Sequence, residues 1–358
     1  MANQEQPIIE VKNLKKYFKV KSKGMLRAVD GVDFSIMPGE TLGLVGESGC
    51  GKSTVGNVIM RLLQATEGEI LFRDRDILSV KGKENMEYKK KIQIIFQDPY
   101  SSLNPKKTIR NIMEEAYDIH KLYKGEERRQ KIDEIIELCG LEKYVLDKYP
   151  HELDGGKRQL VGIARALSLA PEFIVCDEPV SSLDVSVQAT IINLLMDLQK
   201  KMNLSFLFIS HDLSVVRHIS NRVAVMYLGQ IIELAKTDEI FADALHPYTI
   251  ALLSAVPKMN FKNKVNRIVL KGDVPSPINP PKGCRFAQRC FMCRELCKQE
   301  QPGLREVKEG HQVACHFYEE TQEKAAEFES DNIVDVKGKR NEHEDSKDQS
   351  NLHSTGGN

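Results

Sequence analysis

The 358-residue chain has no tryptophan, few aromatic residues (6%) and no net charge. The zero balance removes the usual electrostatic argument for nucleic acid as a ligand, because such binding depends on excess Lys and Arg neutralising phosphates. No stretch approaches the roughly 18 consecutive apolar residues that cross a bilayer. The N-terminus, MANQEQPIIE, lacks the basic-then-apolar pattern of a secretory signal. The expectation is a chain that stays in the cytosol, so any membrane it serves must be spanned by partner chains. What is present is a composition of globular type, 41% hydrophobic and 28% charged. The neutrality conceals an asymmetry: residues 319–358 carry eleven acids and five bases, which leaves the rest of the chain basic.

The apolar pattern predicts an α/β core carrying a helical insertion. Ile8–Val11 and Ala28–Ile36 read as strands, and Thr41–Val45 as a short buried strand entering a Gly-rich loop. Behind that loop Val55, Val58, Ile59, Leu62 and Leu63 recur at helical spacing. Residues 107–170 are mostly helical in pattern, with Ile132, Ile135, Ile136 and Cys139 on one face. Phe173–Cys176 and Leu204–Ile209 are unbroken apolar runs suited to parallel strands buried on both faces. Three segments follow: an α/β domain over 1–257 with its helical subdomain at about 107–170, a Cys-rich module over 258–319, and a disordered acidic tail over 320–358.

Gly46-Glu47-Ser48-Gly49-Cys50-Gly51-Lys52-Ser53, followed by Thr54, fits the phosphate-binding pattern GxxxxGK[ST] between a strand and a helix. Its glycines let backbone N–H groups curl around phosphates, Lys52 reaches the outer phosphates and the Ser53 hydroxyl binds Mg²⁺. The strand FIVCDE ends in two carboxylates: Asp177 holds Mg²⁺ through its water shell, and Glu178 orients or deprotonates the attacking water. Taken alone, such an acidic pair is more often a solvated strand end; its place in a P-loop chain raises the functional reading.

The run Leu153-Asp154-Gly155-Gly156-Lys157 resembles the LSGGQ signature loop of ATP-binding cassette (ABC) proteins, differing at two of five positions. Other matches follow in the order of that family. Phe18 matches the aromatic that stacks on adenine, with Tyr17 the alternative; Gln97 matches the Q-loop that senses Mg²⁺ and γ-phosphate; Asp184 lies in the D-loop; His211 matches the switch histidine. The resemblance covers roughly residues 8–257 and implies that two cassettes sandwich two ATP molecules, each site joining one P-loop to the other chain's Asp154, Gly155 and Gly156. Asp154 stands where the family has serine. Two unit charges about 4 Å apart at an effective dielectric near 20 repel by about 4 kcal/mol. Either Asp154 turns away, or Lys157 offsets it, or the site is slow by design. The expectation is functional asymmetry between the two sites, against the alternative of a tolerated variant.

Five of the eight cysteines crowd into residues 284–315. Soft thiolates at such spacing suit iron–sulfur or zinc. The segment from Gly272 resembles the C-terminal module of the ATP-binding subunits of oligopeptide/dipeptide importers, of OppF/DppF-like type. That resemblance implies a [4Fe-4S] cluster on Cys284, Cys290, Cys297 and Cys315, with Cys293 as an alternative ligand and Zn²⁺ as an alternative metal. It further implies an ATPase on the cytoplasmic face of the membrane, paired with a homologous second cassette and two permease subunits, and served indirectly by an extracellular solute-binding protein. The cargo is di- or oligopeptide, with nickel or another small solute as the alternative. Two rivals are a soluble non-transport ABC ATPase and a redox-sensing binding protein with a vestigial ATPase.

Overall fold

The computed structural model describes residues 6–21, 24–256, 268–270 and 272–327. The acidic tail from 328 onward lies outside them. Among the described residues twelve strands form two sheets. They are β1 (Ile9–Val20), β2 (Gly24–Ile36), β3 (Thr41–Val45), β4 (Glu67–Phe72), β5 (Arg75–Asp76), β6 (Ile92–Ile95), β7 (Phe173–Asp177), β8 (Ser205–Ile209), β9 (Arg222–Tyr227), β10 (Gln230–Lys236), β11 (Arg305–Lys308) and β12 (His311–Val313). The larger sheet runs β11-β12-β10-β9-β3-β8-β7-β6, parallel from β6 to β9. The smaller runs β2-β1-β4-β5 and is antiparallel.

The unbroken apolar runs are explained by layering. In β3, β7 and β8 every residue is buried. Because side chains alternate faces along a strand, Ile174, Cys176, Phe206 and Phe208 enter one core, shared with the helices of residues 109–167. Phe173, Val175, Leu207 and Ile209 enter a second, shared with the smaller sheet and the helix Lys52–Ile59. The helical insertion appears as Ile109–His120, Gly125–Leu138 and Gly155–Leu167, with two short 3₁₀ turns between the second and the third. Ile132, Ile136 and Cys139 are buried on its apolar face.

Two local expectations need correction. The strand at Ile8–Val11 continues to Val20 through a lysine-rich stretch, since bulges turn those residues outward and Lys15 pairs across strands with Glu67 at 2.7 Å. The helix behind the loop stops at Ile59: Arg61 takes a left-handed φ of 57°, and Leu62 is 58% exposed instead of joining Val55, Val58 and Ile59 in the core.

Past β10 the chain returns to the larger sheet. The β11–β12 hairpin pairs antiparallel with β10, and a helical turn over 321–327 buries Ala325 beside Ala251 and Ile268. Phe286, between two of the clustered cysteines, is buried against Tyr227 and Tyr248, with ring centroids 5.3 and 5.4 Å away. Among the described residues no helix is long and apolar enough to cross a membrane.

Candidate functional site

The Gly-rich loop leaves the end of β3 and meets the helix Lys52–Ile59 at Gly51. Gly51 has a φ of 110°, and a Cβ there would lie 2.1 Å from the Ala28 carbonyl oxygen, so only glycine lets the loop pass under β2. Gly46 is held equally close, with a Cβ position 2.2 Å from the Met226 carbonyl oxygen. The Lys52 ammonium is buried and donates to the carbonyls of Gly46 (2.8 Å) and Glu47 (3.0 Å), which fixes it across the loop.

A cavity of about 650 Å³ opens above this loop. Ser48, Gly49, Cys50, Gly51, Lys52, Ser53 and Thr54 line its floor, and Gln97, Glu178 and His211 line one wall. Asp177, the last residue of β7, accepts a hydrogen bond of 2.8 Å from the Ser53 hydroxyl. Burial, aided by the charge of Glu178, raises the Asp177 carboxyl above its usual range despite that bond. Strand β7 therefore delivers a carboxylate to the helix start that the glycine-rich loop prepares. Glu178 follows in a left-handed conformation, φ 47°, unusual for a non-glycine residue and costing on the order of 1–3 kcal/mol. That turn brings its Oε2 within 3.1 Å of both the Gln97 amide nitrogen and His211 Nδ1. Three residues 33 and 81 positions apart in sequence thus share one carboxylate oxygen.

At the other end Phe18 is a cavity wall, with the Lys16 ammonium 4.8 Å from its ring centroid. Tyr17 is turned away, its hydroxyl hydrogen-bonded to Asp30; burial and that bond push its pKa up to about 12. Leu26, Arg27, Ala28, Gly229 and Pro277 also line the cavity, and sequence reasoning did not single them out. Their signal is absent from any motif because they converge only through pairing: Arg27 N donates to the Pro277 carbonyl (3.1 Å), and Leu26 bridges to Ile278.

Asp154, Gly155, Gly156 and Asp184 do not line this cavity. They lie together elsewhere. A Cβ on Gly155 would be 3.3 Å from Leu183, and one on Gly156 would be 2.9 Å from Val187, so the signature glycines admit the segment around Asp184. Asp154 caps the helix Gly155–Leu167 by accepting from Lys157 N at 2.8 Å, as a good N-cap residue does. The Lys157 ammonium sits 3.7 Å from the same carboxylate and 3.3 Å from the Tyr144 hydroxyl. Asp184 caps the helix Val185–Met202 in the same way. Val185, at that helix start, is 81% exposed. The Q-loop is tied to the signature helix: Arg158 stacks 4.6 Å from the Tyr100 ring, and the Gln159 amide donates to the Phe96 carbonyl at 3.5 Å.

Cys284, Cys290, Cys297 and Cys315 line one small cavity of about 20 Å³, floored by Phe286 and Met292. Cys293 does not; its thiol faces the Arg294 carbonyl at 3.7 Å. Backbone approach brings the set together: Cys284 N donates to the Cys297 carbonyl at 2.7 Å, and Gly283 runs so near that a Cβ would be 2.4 Å from that oxygen. Burial pushes the Cys284 and Cys315 thiols up to about 11. Among the described residues no group of three or more His, Cys, Asp or Glu side chains stands in metal-holding geometry. The donor set is nonetheless the soft, all-sulfur kind that iron–sulfur clusters and zinc select.

Known proteins resemble the chain along most of its length. A family model described as ABC transporter matches residues 29–181, and one described as oligopeptide/dipeptide transporter, C-terminal region, matches 232–297. The oligopeptide transport ATP-binding protein AppF of Bacillus subtilis is 52% identical over 326 residues, 88% of this chain and 99% of that one. The dipeptide transport ATP-binding protein DppF of Haemophilus influenzae is 47% identical over 86% of this chain and 96% of its own. Among solved structures, the dimeric ATP-binding cassette MJ0796 bound to ADP and Pi aligns with TM-score 0.59 and 30% identity, covering 64% of this chain and 98% of that one. At this identity and coverage, the chain belongs to the ATP-binding subunits of the oligopeptide/dipeptide branch of ABC transporters.

Proposed function

We propose that this chain is the ATP-hydrolysing subunit of a membrane importer of di- and oligopeptides, peripheral on the cytoplasmic face. The observation that carries this reading is the meeting of the P-loop, the Ser53–Asp177 pair, Gln97, Glu178 and His211 around one cavity. The loop's backbone donors and Lys52 hold the phosphates, and Phe18 stacks on the base. Ser53, Gln97 and, through water, Asp177 would hold Mg²⁺, which would supply positive charge against the phosphates. Glu178 accepts the proton of the attacking water, while Gln97 and His211 hold its carboxylate in position.

Asp154, Gly155, Gly156 and Asp184 complete the reciprocal site of a second, homologous cassette. Their separation from this chain's own cavity and the exposed Val185 beside them support that role. Two permease subunits press on the Q-loop, and its ties to the signature helix through Tyr100 and Gln159 carry the movement between the ATP site and the membrane. Cells in which this gene carries Lys52→Ala are expected to lose uptake of labelled di- and tetrapeptides; uptake at the wild-type rate overturns the assignment.

The Cys-rich segment, in this reading a module over 258–319, holds a [4Fe-4S] cluster on Cys284, Cys290, Cys297 and Cys315. Their convergence on one cavity, with Cys293 outside it, supports this set. Anaerobic purification is expected to give a brown protein with iron and acid-labile sulfide, and Cys293→Ser is expected to retain both. A colourless, iron-free protein counts against the cluster, and one zinc per chain would replace it with the alternative metal.

A further inference from the structure

The P-loop contains one acidic side chain, Glu47, within Gly46–Thr54. An acid there opposes the phosphates the loop is built to hold, because like charges in a half-buried setting repel by several kcal/mol at contact distances and still appreciably one shell further out. Glu47 is met by Arg289 of the cysteine-bearing segment, 242 positions away in sequence. The contact is bidentate: Nη1 to Oε2 at 2.8 Å and Nη2 to Oε1 at 3.1 Å. The guanidinium is buried, its side chain 8% exposed. The same residue of the loop is pinned twice more. Glu47 N donates to the Tyr248 hydroxyl at 2.9 Å, and its carbonyl accepts from Lys52 at 3.0 Å. Tyr248 in turn packs on Phe286. The segment carrying Phe286 and Arg289 thus holds the loop from behind by an ion pair and by a packed aromatic.

We propose that Arg289 is a positioning residue of the ATP site, neutralising Glu47 and fixing the P-loop so that its donors and Lys52 face the phosphates. This rests on the ATP-binding reading. A fork-to-fork arginine–carboxylate pair fixes orientation as well as charge, which a lysine cannot reproduce. The consequence is a C-terminal segment that forms a working part of nucleotide binding in addition to its sulfur chemistry.

The test is equilibrium ATP binding to the full-length chain, with thermal unfolding of each variant in parallel. Arg289→Ala is expected to weaken ATP binding about tenfold, and Arg289→Lys by less. Adding Glu47→Gln to Arg289→Ala is expected to recover most of the loss, because the uncompensated carboxylate is gone; a role confined to stability predicts no such rescue. The double variant removes both charges together and leaves no buried ion unpaired, so it remains readable if Arg289→Ala does not fold. Wild-type affinity in Arg289→Ala, or binding about tenfold weaker than wild type in a folded double variant, overturns the inference. Failure of the unsubstituted chain to bind ATP would instead overturn the function on which it rests.

Discussion

Glu178→Gln in the assembled transporter is expected to lower ATP turnover about 10²–10⁴-fold at the site built on this chain's P-loop, with ATP affinity retained. The substitution keeps the side chain's shape and its reach to Gln97 and His211, each 3.1 Å away. It removes the negative charge and, with it, the proposed capacity to take a proton from water. Binding depends instead on the loop, Lys52 and the Ser53–Asp177 pair, none of which contacts the changed atom. The measurement is steady-state phosphate release beside nucleotide affinity.

The same experiment weighs the altered signature. In the proposed pairing, residual turnover with this chain's site disabled comes from the reciprocal site, which uses Asp154, Gly155 and Gly156. Asp154 is committed to capping its helix and is paired with Lys157 at 3.7 Å. In that pairing its charge would still meet a γ-phosphate of the partner's site. The expected residual is well under half the wild-type rate, and adding Asp154→Ser is expected to raise it. A residual near half, unchanged by Asp154→Ser, makes the signature a tolerated variant and ends the case for asymmetry.

Glu233→Ala is expected to destabilise the chain by about 3–5 kcal/mol in chemical denaturation, among the largest single-residue effects available to it. Glu233 is fully buried on β10. Its carboxylate accepts from Leu245 N (2.6 Å), His246 N (3.0 Å) and His311 Nε2 (2.8 Å). Truncation strands three buried groups at once, each costing roughly 1–3 kcal/mol when unsatisfied. Because His311 belongs to β12, the loss should also speed amide exchange across the β11–β12 hairpin. Glu233→Gln keeps the shape and part of the bonding and is expected to cost less than the alanine. A loss below about 1 kcal/mol for Glu233→Ala would mean these groups find other partners.

The chemistry-bearing residues were legible in the sequence where the chemistry is local. Phosphates are held by consecutive backbone N–H groups, so Gly46 to Thr54 must be contiguous. A buried strand must end at Asp177 and Glu178 for their carboxylates to emerge at its tip. The parallel strands read as apolar runs because both faces of β7 and β8 are covered. Elements less regular in pattern escaped. The lysines of β1 concealed a strand that bulges let them leave, and Leu62 fitted a helical period that ends three residues earlier, at Ile59. Strands β9 to β12 gave no motif at all.

The sequence by itself determined the nucleotide loop and the two carboxylates that end β7, since each is fixed by chemistry acting over a few neighbouring residues; His211 and the cysteine set were read only through resemblance to a known family. Only the tertiary structure decided which of them meet. Gln97, Glu178 and His211 share one oxygen because parallel strands deliver their ends to one edge of the sheet. Glu47 and Arg289, like Asp30 and Arg285 at 255 positions' separation, are brought together by the chain's return to the ATPase sheet. A contact at that separation leaves no periodicity in the sequence, because what specifies it is the summed packing of everything between.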